Sequence, residues 1–178
     1  MADHLTVTTG LERVFMELKR LPADLFAGGG WRREARCWSD MSDYFKEQPP
    51  VGDPLIYETF AWPDGSAATN LLVVFTVLRA GKIGQEHFHT KGHFHVGEDG
   101  SEVAICYAGE GILETAPQGG AVRATAMAAG THVLIPAGHA HRMVNAGDEP
   151  VVFLSICSAG VDHDYHSVLQ FNWRRRTR

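Results

Sequence analysis

A chain of 178 residues and 19.5 kDa has the size of one domain with one substantial core, which leaves no room for two independent domains. Its net charge of -5 and pI near 6.0 argue against a nucleic-acid binder, so the terminal run Arg174-Arg175-Arg176-Thr177-Arg178 reads as a solvated basic tail. The longest strongly apolar stretch, Leu71 to Leu78, is too short to span a bilayer, and no secretory pattern opens the chain, so no membrane partner and a cytoplasmic location are expected.

In chain order, Leu11 to Lys19 carries apolar residues at helical spacing, and Ser39 to Phe45 predicts a second short helix opened by a capping residue. Residues 1–50 are therefore expected as a helical or irregular extension, 51–168 as the main domain and 169–178 as the tail, all within one structural unit. After Pro49-Pro50 the texture becomes short stretches of Val, Ile, Leu, Phe, Tyr and Thr between Gly, Pro and Asp turns. About nine strands are predicted: Leu55 to Ala61, Ala68 to Arg79, Glu86 to His95, Glu102 to Ala108, Gly111 to Thr115, Ala121 to Met127, His132 to Ile135, His141 to Asn145 and Val151 to Cys157. No helix-period segment separates them, which points to an all-β antiparallel jelly roll or barrel with short N-terminal helices. Cys37, Cys106 and Cys157 are odd in number and far apart in sequence, as reduced thiols would be.

Histidine is abundant, with all ten but His4 falling from His87 to His166. On a strand, His93 and His95 present two imidazoles to one face. The Gly97-Glu98-Asp99-Gly100 turn can bring Glu102 back beside them, and His141 follows the tight turn at Pro136 to Gly138. Three imidazoles and one carboxylate suit a divalent transition ion such as iron, manganese, nickel, cobalt or zinc without singling one out, and iron is kept as the first expectation. His87 and His89 share the strand parity of His93 and His95, but no glutamate follows His89 at motif distance, so they are expected to line the pocket or its mouth. His132 and His139 fall off the ligand positions and read as exposed or supporting residues.

The segment Gly130-x5-Pro136-x-Gly138-x2-His141-x3-Asn145 resembles the second cupin motif at every position. Glu102 and Gly109 carry the end of the first motif, with a longer gap after His95. Together with Thr90-Lys-Gly-His-Phe-His95, Asp53-Pro-Leu-Ile-Tyr57 and His163-Asp-Tyr165, that gap resembles the cupin-type phosphoglucose isomerases, over roughly Asp53 to Tyr165. The resemblance implies a cupin jelly-roll homodimer and one divalent metal on His93, His95, Glu102 and His141. It also implies interconversion of glucose 6-phosphate and fructose 6-phosphate, a chemistry expected to pass through a metal-stabilised enediolate with Glu102, the motif carboxylate, as the catalytic residue, or else by a hydride shift. The sugar phosphate would be held at Tyr57, Thr76, Thr90, the backbone of Gly92, His163 and Tyr165. The chain departs from the family at Ala104 and Cys157, where tyrosines are expected, and at His139, where a tryptophan is expected. Another sugar-phosphate substrate, an iron-dependent dioxygenase or a non-enzymatic sugar-phosphate-binding cupin are the competing readings.

Overall fold

The computed structural model describes residues 31–49, 51–62, 70–97, 100–169 and 173. The predicted helix at Leu11 to Lys19, the Pro63-Asp-Gly turn and nearly all of the basic tail lie outside the described residues. The strands are β1 (Arg32–Cys37), β2 (Leu55–Trp62), β3 (Leu71–Leu78), β4 (Lys82–Ile83), β5 (Glu86–His87), β6 (Phe94–Val96), β7 (Glu102–Ala108), β8 (Glu110–Pro117), β9 (Arg123–Ala128), β10 (His132–Ile135), β11 (His139–Val144), β12 (Val151–Ser158) and β13 (Asp162–Asp164). A six-stranded sheet runs β1-β2-β3-β12-β7-β10 and a three-stranded sheet β11-β8-β9, with small pairs β13-β6 and β4-β5. Every ladder between these strands is antiparallel.

Alternation along the strands assigns the two faces of the large sheet. On β12, Val151 and Phe153 join a core that also takes Leu113, Met127 and Met143 from the small sheet, together with Tyr57, Leu78, Ala104, Cys106 and Ile135. Val152 and Leu154 point the other way, into a second cluster with Phe60, Phe75 and Val77. The first cluster fills the space between the two sheets, which is the two-layer core of a jelly roll.

Three features correct the strand map. Residues 32–37, inside the segment expected to be helical or irregular, form β1 and pair with β2. The helix expected at Ser39 to Phe45 is two 3-10 turns, Trp38–Asp40 and Ser42–Tyr44. The single strand expected from Glu86 to His95 is broken between β5 and β6 because Gly92 takes φ 70°, in the left-handed region open to glycine. A Cβ at Gly92 would sit 3.2 Å from Cβ of Arg142 and 3.3 Å from the carbonyl oxygen of His141. Glycine therefore permits the close approach of the chain to β11. Shared parity of His87 and His89 with the ligand pair is lost at this break.

Candidate metal centre

Three strands, β6, β7 and β11, and an isolated bridge at His93 bring the predicted donors together. His93 and His141 form an isolated antiparallel bridge, exchanging backbone hydrogen bonds of 3.2 and 3.1 Å. His95 lies two residues on, and Glu102 opens β7 on the face shared with the inner residues of the large sheet. Their donor atoms all lie within 4.8 Å of one another, with His95, Glu102 and His141 buried and His93 half-buried. Nε2 of His93 and Nε2 of His95 are 3.1 Å apart. Oε2 of Glu102 is 3.5 Å from Nε2 of His95 and 3.4 Å from Nε2 of His141. Donors around one ion at bond lengths of about 2.1 Å stand about 3.0–3.4 Å apart along the edges of an octahedron or tetrahedron. The three separations of 3.1, 3.4 and 3.5 Å are close to those of neighbouring donors on one ion.

Hydrogen bonds set which atom each ring presents. Nδ1 of His95 faces the carbonyl of Gly100 at 2.9 Å, and Nδ1 of His141 faces that of His139 at 3.3 Å. A proton on Nδ1 leaves Nε2 as the lone-pair nitrogen in both. Nε2 of His141 is buried and, despite its closeness to Glu102, has no hydrogen-bond partner. An imidazole nitrogen so placed is a poor fit to a closed core and a good fit to a cation.

Charge follows the same pattern. Burial lowers the pKa of His93, helped by His141, His163 and His95, and burial with His141 lowers that of His95 against the pull of Glu102. Both rings are thereby held neutral, the form that ligates metal. Burial works to raise the carboxyl of Glu102, but His141, Ser155 and His95 outweigh it and hold the group below its ordinary value. Burial works to lower His141, and Glu102 outweighs it. The site contains one ionised carboxylate beside three imidazoles.

The residues expected at the sugar phosphate separate into two groups. His163 lies on β13 opposite His95. Its ring stands edge-on to His93 at 4.4 Å, with the ring of Tyr165 5.8 Å from it in a stacked arrangement and 5.5 Å from His93. These two border the donors. Tyr57 is buried on the inner face, its phenol pushed up by burial and by Tyr165, with the backbone N–H of Lys91 bonded to its oxygen. Thr76 is buried opposite Phe153. Leu72, by contrast, is opposite Cys157 and hence level with Glu102. Four residues of strand, about 13 Å, separate those levels. Thr90 accepts the backbone N–H of Met143 on its hydroxyl at 3.0 Å and donates its own N–H to the Met143 carbonyl at 2.9 Å. Thr90 and Gly92 both serve the seam with β11.

His89 is buried away from the donors, stacked on Phe45 at 4.5 Å, with Nδ1 2.8 Å from the Thr90 carbonyl. His132 is exposed and pairs across from Ile105. Cys157, at a position where the resembling family carries tyrosine, is opposite Glu102 and its thiol is pushed up to about 12 by burial and that carboxylate. Cys37 and Cys157 are free thiols.

Two neighbours of the site escaped the sequence reading. Ser155 donates its hydroxyl to Oε1 of Glu102 at 2.7 Å, and the inward alternation Val151, Phe153, Ser155 was the available signal. Lys91 holds its ammonium 5.7 Å from the ring of Tyr44 and 6.0 Å from that of Tyr165. Its place in the Thr-Lys-Gly-His segment was visible, but the aromatic pair comes from 47 residues upstream and 74 downstream, by the numbering of Tyr44, Lys91 and Tyr165.

The comparisons agree with this geometry. The family model described as glucose-6-phosphate isomerase matches residues 57–175. The glucose-6-phosphate isomerase of Pyrococcus furiosus is 40% identical over 149 residues, 79% of this chain and 78% of its own. That of Thermococcus kodakarensis is 39% identical over 165 residues, 86% of each chain. Among solved structures, the manganese-containing oxalate decarboxylase of Bacillus subtilis superposes with a TM-score of 0.50 at 19% identity, over 62% of this chain and 28% of that one. The match thus spans little more than a quarter of the decarboxylase and bears on the fold alone. The jelly roll, the clustered donors and the relatives converge: the chain belongs to the glucose-6-phosphate isomerase family, in its cupin branch.

Proposed function

We infer that the chain interconverts glucose 6-phosphate and fructose 6-phosphate, with one divalent transition metal held by His93, His95, Glu102 and His141. The observation that carries this is the convergence of those four donors within 4.8 Å in a chain of this family. The unpartnered Nε2 of His141 and the neutral rings of His93 and His95 fit a cation. The nitrogen and oxygen donors suit iron, manganese, nickel, cobalt or zinc alike, and iron is our first expectation among them. Bound there, such an ion would supply Lewis-acid stabilisation of charge at the two oxygens that trade carbonyl and hydroxyl character.

The remaining work falls to the chain. Glu102, ionised and beside the donors, takes the proton from one carbon and returns it to its neighbour. His163 and Tyr165 wall the side of His93 and turn the sugar toward Glu102. Lys91, held beside Tyr165, carries a positive charge suited to the phosphate end. Tyr57, Thr76, Thr90 and Gly92 belong to this reading as the inner wall and the seam that fix the pocket's shape.

The test is isomerase activity on both sugar phosphates, with chelator-stripped protein reloaded with each metal in turn. Metal-dependent turnover supports the reading; a fully loaded protein without turnover on either sugar overturns it. Run in deuterated water, the same assay should place solvent deuterium at the carbon that receives the proton, whereas a product free of label would replace Glu102 proton transfer by a hydride shift.

The reading extends to a cytoplasmic homodimer. Free thiols at Cys37 and Cys157 suit a reducing compartment, and no helix among the described residues is long and apolar enough to cross a membrane. Val73, Ile105, Tyr107 and Ile156, half-buried apolar residues on the outer cluster, are a surface that a second copy would cover. Sedimentation should give twice the 19.5 kDa chain mass.

A further inference from the structure

The two oxygens of Glu102 have different neighbours. Oε2 faces the imidazoles of His95 and His141, at 3.5 and 3.4 Å. Oε1 is turned away and accepts the Ser155 hydroxyl at 2.7 Å. An ionised carboxylate only accepts hydrogen bonds, and a strong one to a single oxygen fixes the rotation of the whole group.

Ser155 is well placed to impose that rotation. It sits on β12 in the centre of the large sheet, with β3 on one side and β7 on the other, opposite Val74 and Ala104. Neither of those neighbours carries a donor side chain. Cys157, the residue directly opposite Glu102, is buried and its thiol makes no hydrogen bond to the carboxylate. Ser155 is therefore the side-chain hydroxyl that the sheet offers to Oε1, on a rigid central strand rather than a loop.

We propose that Ser155 is a positioning residue that holds Oε1 of Glu102 back, so that only Oε2, the oxygen that also carries the proton, faces the centre as a single loose donor and leaves the remaining room there to substrate oxygens. The inference rests on the metal reading given above. A carboxylate free to turn would offer both oxygens to the ion, crowding the place where the sugar must enter. The function of the serine is thus exercised through Glu102, and it touches neither the ion nor the sugar.

The test uses the full chain loaded with cobalt(II), whose visible absorption reports the number and symmetry of its donors. Ser155→Ala should change the cobalt band shape and weaken cobalt binding about tenfold, the usual size of an effect from a residue that orients a ligand. Ser155→Thr, which keeps the hydroxyl, should restore both. An unchanged spectrum and affinity in a folded Ser155→Ala protein would overturn the proposal, as would a Ser155→Thr protein that behaves like the alanine variant. His141→Ala provides the separate control: loss of the cobalt spectrum there supports the donor set, so a silent Ser155→Ala result would count against the serine alone. A parent protein whose cobalt spectrum ignores His141 would overturn the metal reading and this inference with it.

Discussion

Two glutamates, each only 6% exposed, lie on opposite faces of the same sheet. Glu58 on β2 is opposite Val77 of the outer cluster and accepts hydrogen bonds from Arg33 and Arg79. Glu102 on β7 faces inward, toward imidazoles and a serine hydroxyl. Burial works to raise both carboxyls, and in both the partners prevail and lower them. The difference lies in the partners. Guanidinium is a permanent cation that closes the account of Glu58 by itself. Imidazole is a conditional one, and around Glu102 it leaves a buried nitrogen, Nε2 of His141, 3.4 Å from the carboxylate but without a hydrogen bond. Equal burial with unequal completion distinguishes a carboxylate that secures strands from one that serves chemistry.

The sharpest way to break that comparison is to neutralise each glutamate in turn. Glu102→Gln should lower isomerase turnover on the order of 10²–10⁴-fold, the range for loss of a proton-transferring group, with metal content measured in parallel. Glu58→Gln should leave turnover at the parent level. Equal losses from the two variants would erase the distinction between the faces.

Acid sharpens it next, through a third buried group that has no ionic partner at all. The ring of His89 is pushed down to about 3, from its ordinary 6.5, by burial first and by Arg142 second. Because the folded value lies below the unfolded one, the unfolded chain takes up this proton first. Stability is fully present above about 6.5 and is lost as the pH falls toward 3, by on the order of 4 kcal/mol if the whole shift is realised. Glu58 adds to the same acid limb: its lowered value means a contribution present above the ordinary 4.5 and lost as the pH falls through the folded value. Urea unfolding between pH 7 and 3 measures the sum. His89→Phe, which keeps the stack on Phe45, should flatten the upper part of that limb.

The smallest effect expected is that of Glu58→Ala. It leaves two guanidiniums without their carboxylate, but Arg33 and Arg79 are 49% and 33% exposed and water reaches them. The cost should be about 2 kcal/mol rather than that of a fully buried pair, or roughly 4–8 °C in Tm for a chain of this length. A scan with metal removed separates this loss from any change at the inner face.

Much of the molecule was legible in the sequence because its signals are local. Glu102–Ala108 and His132–Ile135 have the predicted bounds, and Val151–Ser158 extends the prediction by one residue. Each is a compact run of strand-forming residues between turn residues. The four donors were legible because two sit two residues apart and the third and fourth follow marked turns. What escaped depends on contacts remote in sequence. β1 reads Arg-Arg-Glu-Ala-Arg-Cys, which has little β character of its own and gains it by pairing with β2. β13 is three residues long, and only its pairing with β6 brings His163 opposite His95. Ser155 lies 53 residues from the carboxylate it holds. The continuous strand expected from Glu86 to His95 failed on backbone geometry: the positive φ at Gly92 turns His89 out of the line of His93.

The ladder between β13 and β6 has a kinetic consequence. It joins only three residue pairs, whereas β12 and β3 are joined by eight. Short ladders open with smaller free energies than long central ones, so amides of β13 should exchange with solvent well before those of β12. Each such opening lifts His163 from its place beside His93 and His95. The side of the site that carries His163 is therefore tied by fewer backbone bonds than the side built on the large sheet, and hydrogen exchange at β13 reports how readily it opens.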